Sequence, residues 1–188
     1  SSFSDAQGTW VTGEDKSLED VVVAGVAYDK NEARVNVIGL HDKPGVVAEL
    51  FSHLAEKNVS VDMIIQNATT GASDRADVTF TLAQTDLQRA RPWIEEIGKK
   101  LGSTEVRYDE DVVKVSIVGL GMRSHAGIAA KMFKLLAAEG INIQAISTSE
   151  IKVSCLVHQK YTELAVRALH DGFGLGNERP SLEPQAKK

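Results

Sequence analysis

A short loop and the helix predicted after it carry the residues best suited to chemistry in this 188-residue chain. The loop reads Asp42-Lys43-Pro44-Gly45, and Val46 and Val47 follow in the helix. Free backbone N–H groups at a helix start bind anions such as carboxylates. The Asp42 carboxylate can pair with an ammonium group, and Gly45 lets the backbone approach a ligand closely. These groups together match the two charges of a free α-amino acid.

A purely structural interpretation of the same loop also fits the residues. Asp42 and Lys43 occupy the expected N-cap region of the helix, and Pro44 suits a first helical turn. Asp42 then only caps the helix, and Gly45 only serves a turn. The residue types leave both interpretations open.

The next predicted strand adds four candidates beside this loop, three of them polar. They are Val61, Asp62, Gln66 and Asn67. Gln66 and Asn67 carry amides that can hydrogen-bond the side chain of a ligand, for example a threonine hydroxyl. Asp62 fits equally well as a solvated residue on the strand.

Chemistry of other kinds finds little support in the sequence. The five histidines have no metal-site spacing, and Cys155 lies in an apolar strand, where an inert core thiol is expected. Gly119-Leu120-Gly121 lacks the third glycine of a phosphate-binding motif. We therefore predict no catalytic residue, no metal and no cofactor.

Composition narrows the class of protein further. The net charge of −5 comes from interleaved acidic and basic residues, which argues against nucleic acid or a membrane as partner. With a single cysteine and no secretory signal at the start, the chain is predicted to be cytoplasmic.

An internal repeat organises the chain. Aligning Gly45 with Gly127 gives an offset of 82 residues, and the same offset pairs Phe51 with Phe133 and Gly39 with Gly121. The chain therefore contains two copies of one unit. In the corresponding strand region of the second copy, the candidate residues are Asn142, Ile143, Ser147 and Thr148. Asp42 corresponds to Ser124, so the second loop lacks a carboxylate and is expected mainly to pack.

Each copy has a predictable order of elements. In the first, strands are predicted at 33–40, 59–66, 76–82 and 104–108, with helices over 44–57 and around 87–101. Pro92 is expected to kink the second helix or to shift its start. The order βαββαβ is that of a ferredoxin-like unit, so the fold class is α+β.

The second copy lacks its last strand, whereas an unassigned strand, 21–28, precedes the first copy. A missing strand would leave an open sheet edge, so we predict that strand 21–28 completes the second unit. The first unit is then inserted into the second. The predicted boundaries are a linker at 1–19, the inserted unit at 29–110, the second unit at 20–28 plus 111–174, and a flexible tail at 175–188.

Several stretches resemble the regulatory half of aspartate kinases, and more narrowly the small regulatory subunit of the actinobacterial type. These are the segments LEDVVVAGVAYDKNEARVNVIGLHDKPG, VSVDMIIQN, KVSIVGLGMRSHAG and INIQAISTSEIKVSCLV. The DKPG loop is typical of ACT domains generally, while ISTSEIKVS and MRSHAG are more specific to the kinase. The resemblance covers roughly residues 21–174, and the phosphate-binding segments of the kinase half do not occur in the sequence.

The resemblance implies two ACT domains, the first inserted into the second, that regulate an aspartate kinase without catalysing its reaction. It implies a homodimer with amino-acid effectors at ACT interfaces, threonine and lysine being the usual ones, and a catalytic alpha subunit as partner. Asn142, Ile143, Ser147 and Thr148 are then expected to meet the first loop across such an interface. Two alternatives remain: a scaffold that senses nothing, and an ACT module of another biosynthetic enzyme.

Overall fold

Two small α+β units, each with its own sheet and its own core, make up the computed structural model. The structure describes residues 23–68, 74–119 and 127–176. The predicted linker at 1–19, the first two residues of the predicted strand 21–28, and residues 177–188 of the predicted tail 175–188 lie outside these residues.

The first unit contains four strands and two helices in the predicted βαββαβ order. Its elements are β2 (Ala33–His41), α1 (Val46–Glu56), β3 (Val61–Ala68), β4 (Arg75–Leu82), α2 (Gln84–Lys100) and β5 (Glu105–Asp109). The sheet order is β3-β4-β2-β5, with antiparallel neighbours throughout. Alternate residues of β2, namely Ala33, Val35 and Val37, are fully buried against the helices.

The second unit has the same arrangement with a strand borrowed from the front of the chain. Its elements are β1 (Gly25–Asp29), β6 (Val112–Val118), α3 (Ile128–Ala138), β7 (Ile143–Thr148), β8 (Lys152–His158) and α4 (Thr162–Gly172). A short 3₁₀ turn (Gln159–Tyr161) precedes α4. The sheet order is β1-β6-β8-β7, so β1 takes the place that β5 has in the first sheet. The predicted insertion of the first unit into the second is thereby confirmed.

The repeat is visible in the way the first helix of each unit ends. After α1, Asn58 has a positive φ of 54° and Val59 N–H donates to Leu54 O at 3.0 Å. After α3, Gly140 has φ 67° and Ile141 N–H donates to Leu136 O at 3.0 Å. Both endings are Schellman motifs, which satisfy carbonyls left free at a helix end.

Helix α2 begins at Gln84 and contains Pro92, which excludes the predicted shift of its start, while the alternative of a kink stays a prediction. The predicted repeat was wrong in one detail. The offset of 82 holds from the loop onward but not in the preceding strand. There the buried Val35 and Val37 correspond to Val115 and Ile117, an offset of 80, because the second loop is two residues longer.

Candidate functional site

The loop between β2 and α1 forms an open helix start. Gly45 is the N-cap residue, in the left-handed conformation with φ 95°, and no side chain caps the helix. Val46 N–H donates to Lys43 O at 3.3 Å, and Glu49 N–H donates to Gly45 O at 2.8 Å. The N–H groups of Val47 and Ala48 find no acceptor within the described parts of the chain.

This geometry corrects the predicted capping. Asp42 and Lys43 do not cap α1, and Pro44 precedes the helix instead of lying in its first turn. The reason is the positive φ of Gly45, which turns the chain sharply and carries the Asp42 carboxylate out of reach of the first helical N–H groups. A glycine at this position can offer no capping oxygen, so two backbone donors stay open toward solvent.

A cavity of about 350 Å³ lies at this helix start, with Gly45 and Val47 in its lining. Such a volume falls at the small end of the range for small-molecule sites. Its lining residues are Asp42, Lys43, Pro44, Gly45, Val47 and Gln66. All six belong to the set predicted from the sequence, and β3 brings Gln66 to the loop from the other side of the cavity. Their role in binding stays a prediction.

The chemical character of this cavity follows from its lining. A carboxylate can accept from the Val47 and Ala48 N–H groups at the positive end of α1. The exposed Asp42 also lines the cavity, and its carboxylate supplies a negative charge for an ammonium group. The Gln66 amide can both donate and accept a hydrogen bond. The arrangement suits a small zwitterion that carries a polar side chain.

Two side chains that the sequence did not single out, those of Arg75 and Asp77, hold the end of β2 that precedes the loop. Gly39 N–H donates to Asp77 Oδ1 at 2.8 Å, and Arg75 Nη1 donates to Gly39 O at 2.6 Å and to Gly102 O at 2.8 Å. The register of β2 against β4 shifts between Val37 and Leu40, so Gly39 lies in an irregularity of the ladder. Because these partners lie far apart in sequence, no local pattern could have indicated them.

The remaining first-unit candidates lie outside the cavity lining. Val46 and Val61 pack against the core of the first unit. Asn67 is exposed on β3, opposite Asp77 of β4. Asp62 Oδ2 accepts from Lys114 Nζ at 2.5 Å, and this hydrogen bond lowers the pKa of the Asp62 carboxyl. In this structure Asp62 therefore interacts with the second unit and not with the loop.

The second-unit candidates do not meet the first loop within one chain. None of Asn142, Ile143, Ser147 and Thr148 lines the cavity. Ile143 packs against the second core, whereas Asn142 and Thr148 are exposed. The helix start of the second unit repeats the first, since Gly127 has φ 98° and no side chain caps α3. Ser124 and the rest of loop 120–126 lie outside the described residues.

The thiol of Cys155 has the character expected of a core residue. The side chain is fully buried on β8, and burial raises the pKa of the thiol to about 12. Its sulfur lies 3.9 Å from Met132 Sδ. A thiol held neutral in this way is a poor nucleophile.

The described residues contain neither a cluster suited to a metal ion nor a helix suited to a membrane. No group of three or more His, Cys, Asp or Glu side chains is placed to hold a metal ion there. In the same part of the chain no helix has the length and apolarity needed to cross a membrane.

Comparison with known proteins agrees with the fold of the two units. A family profile described as ACT domain matches residues 33–98, and a second ACT-domain profile matches residues 115–173. The regulatory subunit of aspartate kinase from Thermus thermophilus, in its ligand-free form, is 39% identical with a TM-score of 0.76. The match covers 81% of this chain and 99% of that one. The chain belongs to the family of aspartate kinase regulatory ACT domains.

Two further relatives place this family membership. A chain in the crystal structure of aspartokinase alpha and beta subunits is 50% identical, with a TM-score of 0.74, over 80% of this chain and 98% of that one. An aspartate kinase of Pseudomonas putida is 45% identical over 175 residues, which are 93% of this chain. The chain spans only 42% of the length of that enzyme.

Proposed function

We propose that this regulatory ACT pair senses threonine, with lysine as a second effector, and feeds back on an aspartate kinase. The single observation that carries the proposal is the open start of α1, where free N–H groups and the Asp42 carboxylate face one small cavity. A free amino acid supplies the complementary carboxylate and ammonium. The Gln66 amide then favours an effector whose side chain ends in a hydrogen-bonding group.

Threonine fits this lining better than an aliphatic amino acid of similar size. Its hydroxyl can pair with the Gln66 amide, whereas an isoleucine or valine side chain would leave that amide without a partner once it is desolvated. The proposed activity is allosteric: the effector biases an equilibrium between an active and an inhibited assembly, so it must bind one of them more tightly. The catalytic part belongs to a partner alpha subunit, and the regulatory chain acts as a homodimer.

A thermal melt of the chain tests sensing directly. We expect threonine at about 100 times its Kd to stabilise the folded state by about 2.7 kcal/mol. For a chain of this size that corresponds to a rise in Tm of roughly 5–10 °C. Lysine, methionine, isoleucine and valine serve as parallel samples, of which only lysine is expected to add stabilisation. If no amino acid raises the Tm, the chain is a scaffold for the kinase and the sensing proposal is wrong.

A further inference from the structure

Lys114 joins the two ACT units through a buried charge. It lies on β6 of the second unit, on the sheet face turned away from the helices, since its neighbours Val113 and Val115 belong to the core. Its side chain is only 14% exposed. The ammonium contacts the Glu32 carboxylate, which is 4% exposed, and lies 2.5 Å from Asp62 Oδ2 on β3. Both of these partners lie outside the sheet to which Lys114 belongs.

The equivalent residue of the first unit behaves differently. Arg34 occupies the matching place on β2, and it pairs at 2.9 Å with Asp109, directly opposite on the edge strand of its own sheet. Lys114 has the corresponding partner in Asp29, opposite on β1, but that carboxylate lies 4.0 Å away. The two equivalent basic residues therefore pair with different kinds of partner. The basic side chain of the second unit turns away from its own sheet and toward the first unit.

The partner strand β3 is the one that carries Gln66 to the effector cavity. Its register against β4 shifts between Val61 and Ile64, which places Asp62 in an irregularity of an edge strand. Such irregularities redirect side chains and weaken local pairing. Val61 still pairs with Leu82 and Met63 N–H donates to Thr81 Oγ1 at 3.2 Å, so the first sheet holds this end of β3 in part. The Lys114 ammonium adds a contact from the second unit at Asp62.

We infer that Lys114 is a positioning residue that holds β3 to the second unit and so couples the effector cavity to that unit. The part of this inference that concerns the effector cavity rests on the proposed function. The part that concerns the Lys114 contact between the two units rests on geometry alone. Burial by itself would lower the pKa of Lys114, but hydrogen bonds to Asp62 and Glu32 raise it. The side chain therefore stays charged at neutral pH and keeps both carboxylates in place.

The test removes the ammonium without leaving a bare buried carboxylate. Because Glu32 Oε2 has no hydrogen-bond partner in the described residues, Lys114→Met alone risks unfolding the chain. The variant is therefore Lys114→Met with Glu32→Gln. Its matched control is Arg34→Met with Asp109→Asn, which deletes the equivalent pair inside the first unit. A rescue variant, Lys114→Arg, keeps the charge.

Two readouts separate positioning from general stability. Hydrogen exchange without ligand should show β3 amides of the Lys114 variant exchanging at least tenfold faster, with the control and the rescue variant unchanged. Calorimetric titration should show the Kd for threonine rising about fivefold or more, the lower end of typical coupling between sites. Each change must be larger than the general loss of stability, measured as the fall in Tm of the same variant, would produce.

The results of the exchange and titration experiments distinguish this inference from the proposed function. Unchanged β3 exchange, or equal acceleration in the control, overturns the inference. Faster β3 exchange with an unchanged Kd also overturns it, because β3 then moves without consequence for the cavity. If the wild-type chain binds no amino acid but its β3 still loosens in the Lys114 variant alone, the proposed function fails and the tie between units stands.

Discussion

Replacing Asp42 by alanine separates the two roles that the sequence allows for this residue. If Asp42 capped α1, its loss would cost about 1 kcal/mol of folding free energy. In the structure Gly45 is the N-cap residue, and the first helical turn receives no side-chain hydrogen bond. We therefore expect the free energy of unfolding without ligand to change by less than about 0.5 kcal/mol. The Tm should then move by no more than roughly 1–2 °C.

The same change should weaken effector binding clearly. A hydrogen bond to a charged group contributes about 1.5–3 kcal/mol, and the exposed position of Asp42 favours the lower end of that range. Since about 1.4 kcal/mol is a factor of ten in affinity, the Kd for threonine should rise about tenfold. Binding of the carboxylate at the α1 start remains, so affinity should fall without being abolished.

Calorimetric titration and thermal melts of the same samples measure both quantities. Asp74→Ala is the control, because Asp74 is an exposed carboxylate beside the loop that does not line the cavity. A fall of 2–4 °C in the ligand-free Tm, the shift expected for about 1 kcal/mol, would show that Asp42 caps the helix after all. An unchanged Kd, or an equal rise in the Asp74 variant, would refute its role as the ammonium partner.

Three further predictions concern Gly39 and Arg75, which lie next to the candidate site, and the core thiol of Cys155. Gly39→Ala should lower the free energy of unfolding by about 1–3 kcal/mol, because φ is +71° and the new Cβ would lie 2.7 Å from Thr104 Oγ1. Gly25→Ala is the control, since its Cβ would meet open space and should change the same quantity by no more than about 0.5 kcal/mol. Urea melts measure both. Arg75→Met removes the donor to two backbone carbonyls and should destabilise the folded chain by about 1.5–3 kcal/mol. It should also raise the Kd for threonine. An unaltered Kd would mean that the loop keeps its shape without Arg75. Cys155 should resist thiol reagents at pH 8 until the chain unfolds, and rapid labelling of the folded chain would contradict its burial. The free energy of unfolding should fall between pH 9 and about 12, because only the thiol of the unfolded chain ionises in that range.

The fold was largely predictable because its signals are local and repeated. Both units place a left-handed glycine at the start of the first helix, Gly45 with φ 95° and Gly127 with φ 98°. The buried residues of α1, Leu50 and Leu54, return at the same spacing as Met132 and Leu136 in α3. Periodicity and turn chemistry of this kind are visible along a single stretch of chain.

The parts that were missed depend on partners distant in sequence. Lys114 reaches Asp62 across 52 residues, and Arg75 reaches Gly39 across 36. Neither contact leaves a pattern in the residues around it. The capping error has a different cause: an aspartate shortly before a helix is normally a cap, but the positive φ of Gly45 moves the start of α1 beyond its reach.

The position of β3 explains how occupancy of a small surface cavity could matter to the other unit. An effector that binds both arrangements equally shifts no equilibrium, however tightly it binds. At one end β3 presents Gln66 to the cavity, and at the other Asp62 pairs with Lys114 of the second unit. A ligand that pulls on Gln66 therefore acts on a strand whose far end is fixed to the second sheet. The Lys114 side chain is 14% exposed whereas that of Asp62 is 47% exposed, so we expect this pair to loosen when β3 shifts, and an effector couples the units only if it binds one of the two arrangements more tightly.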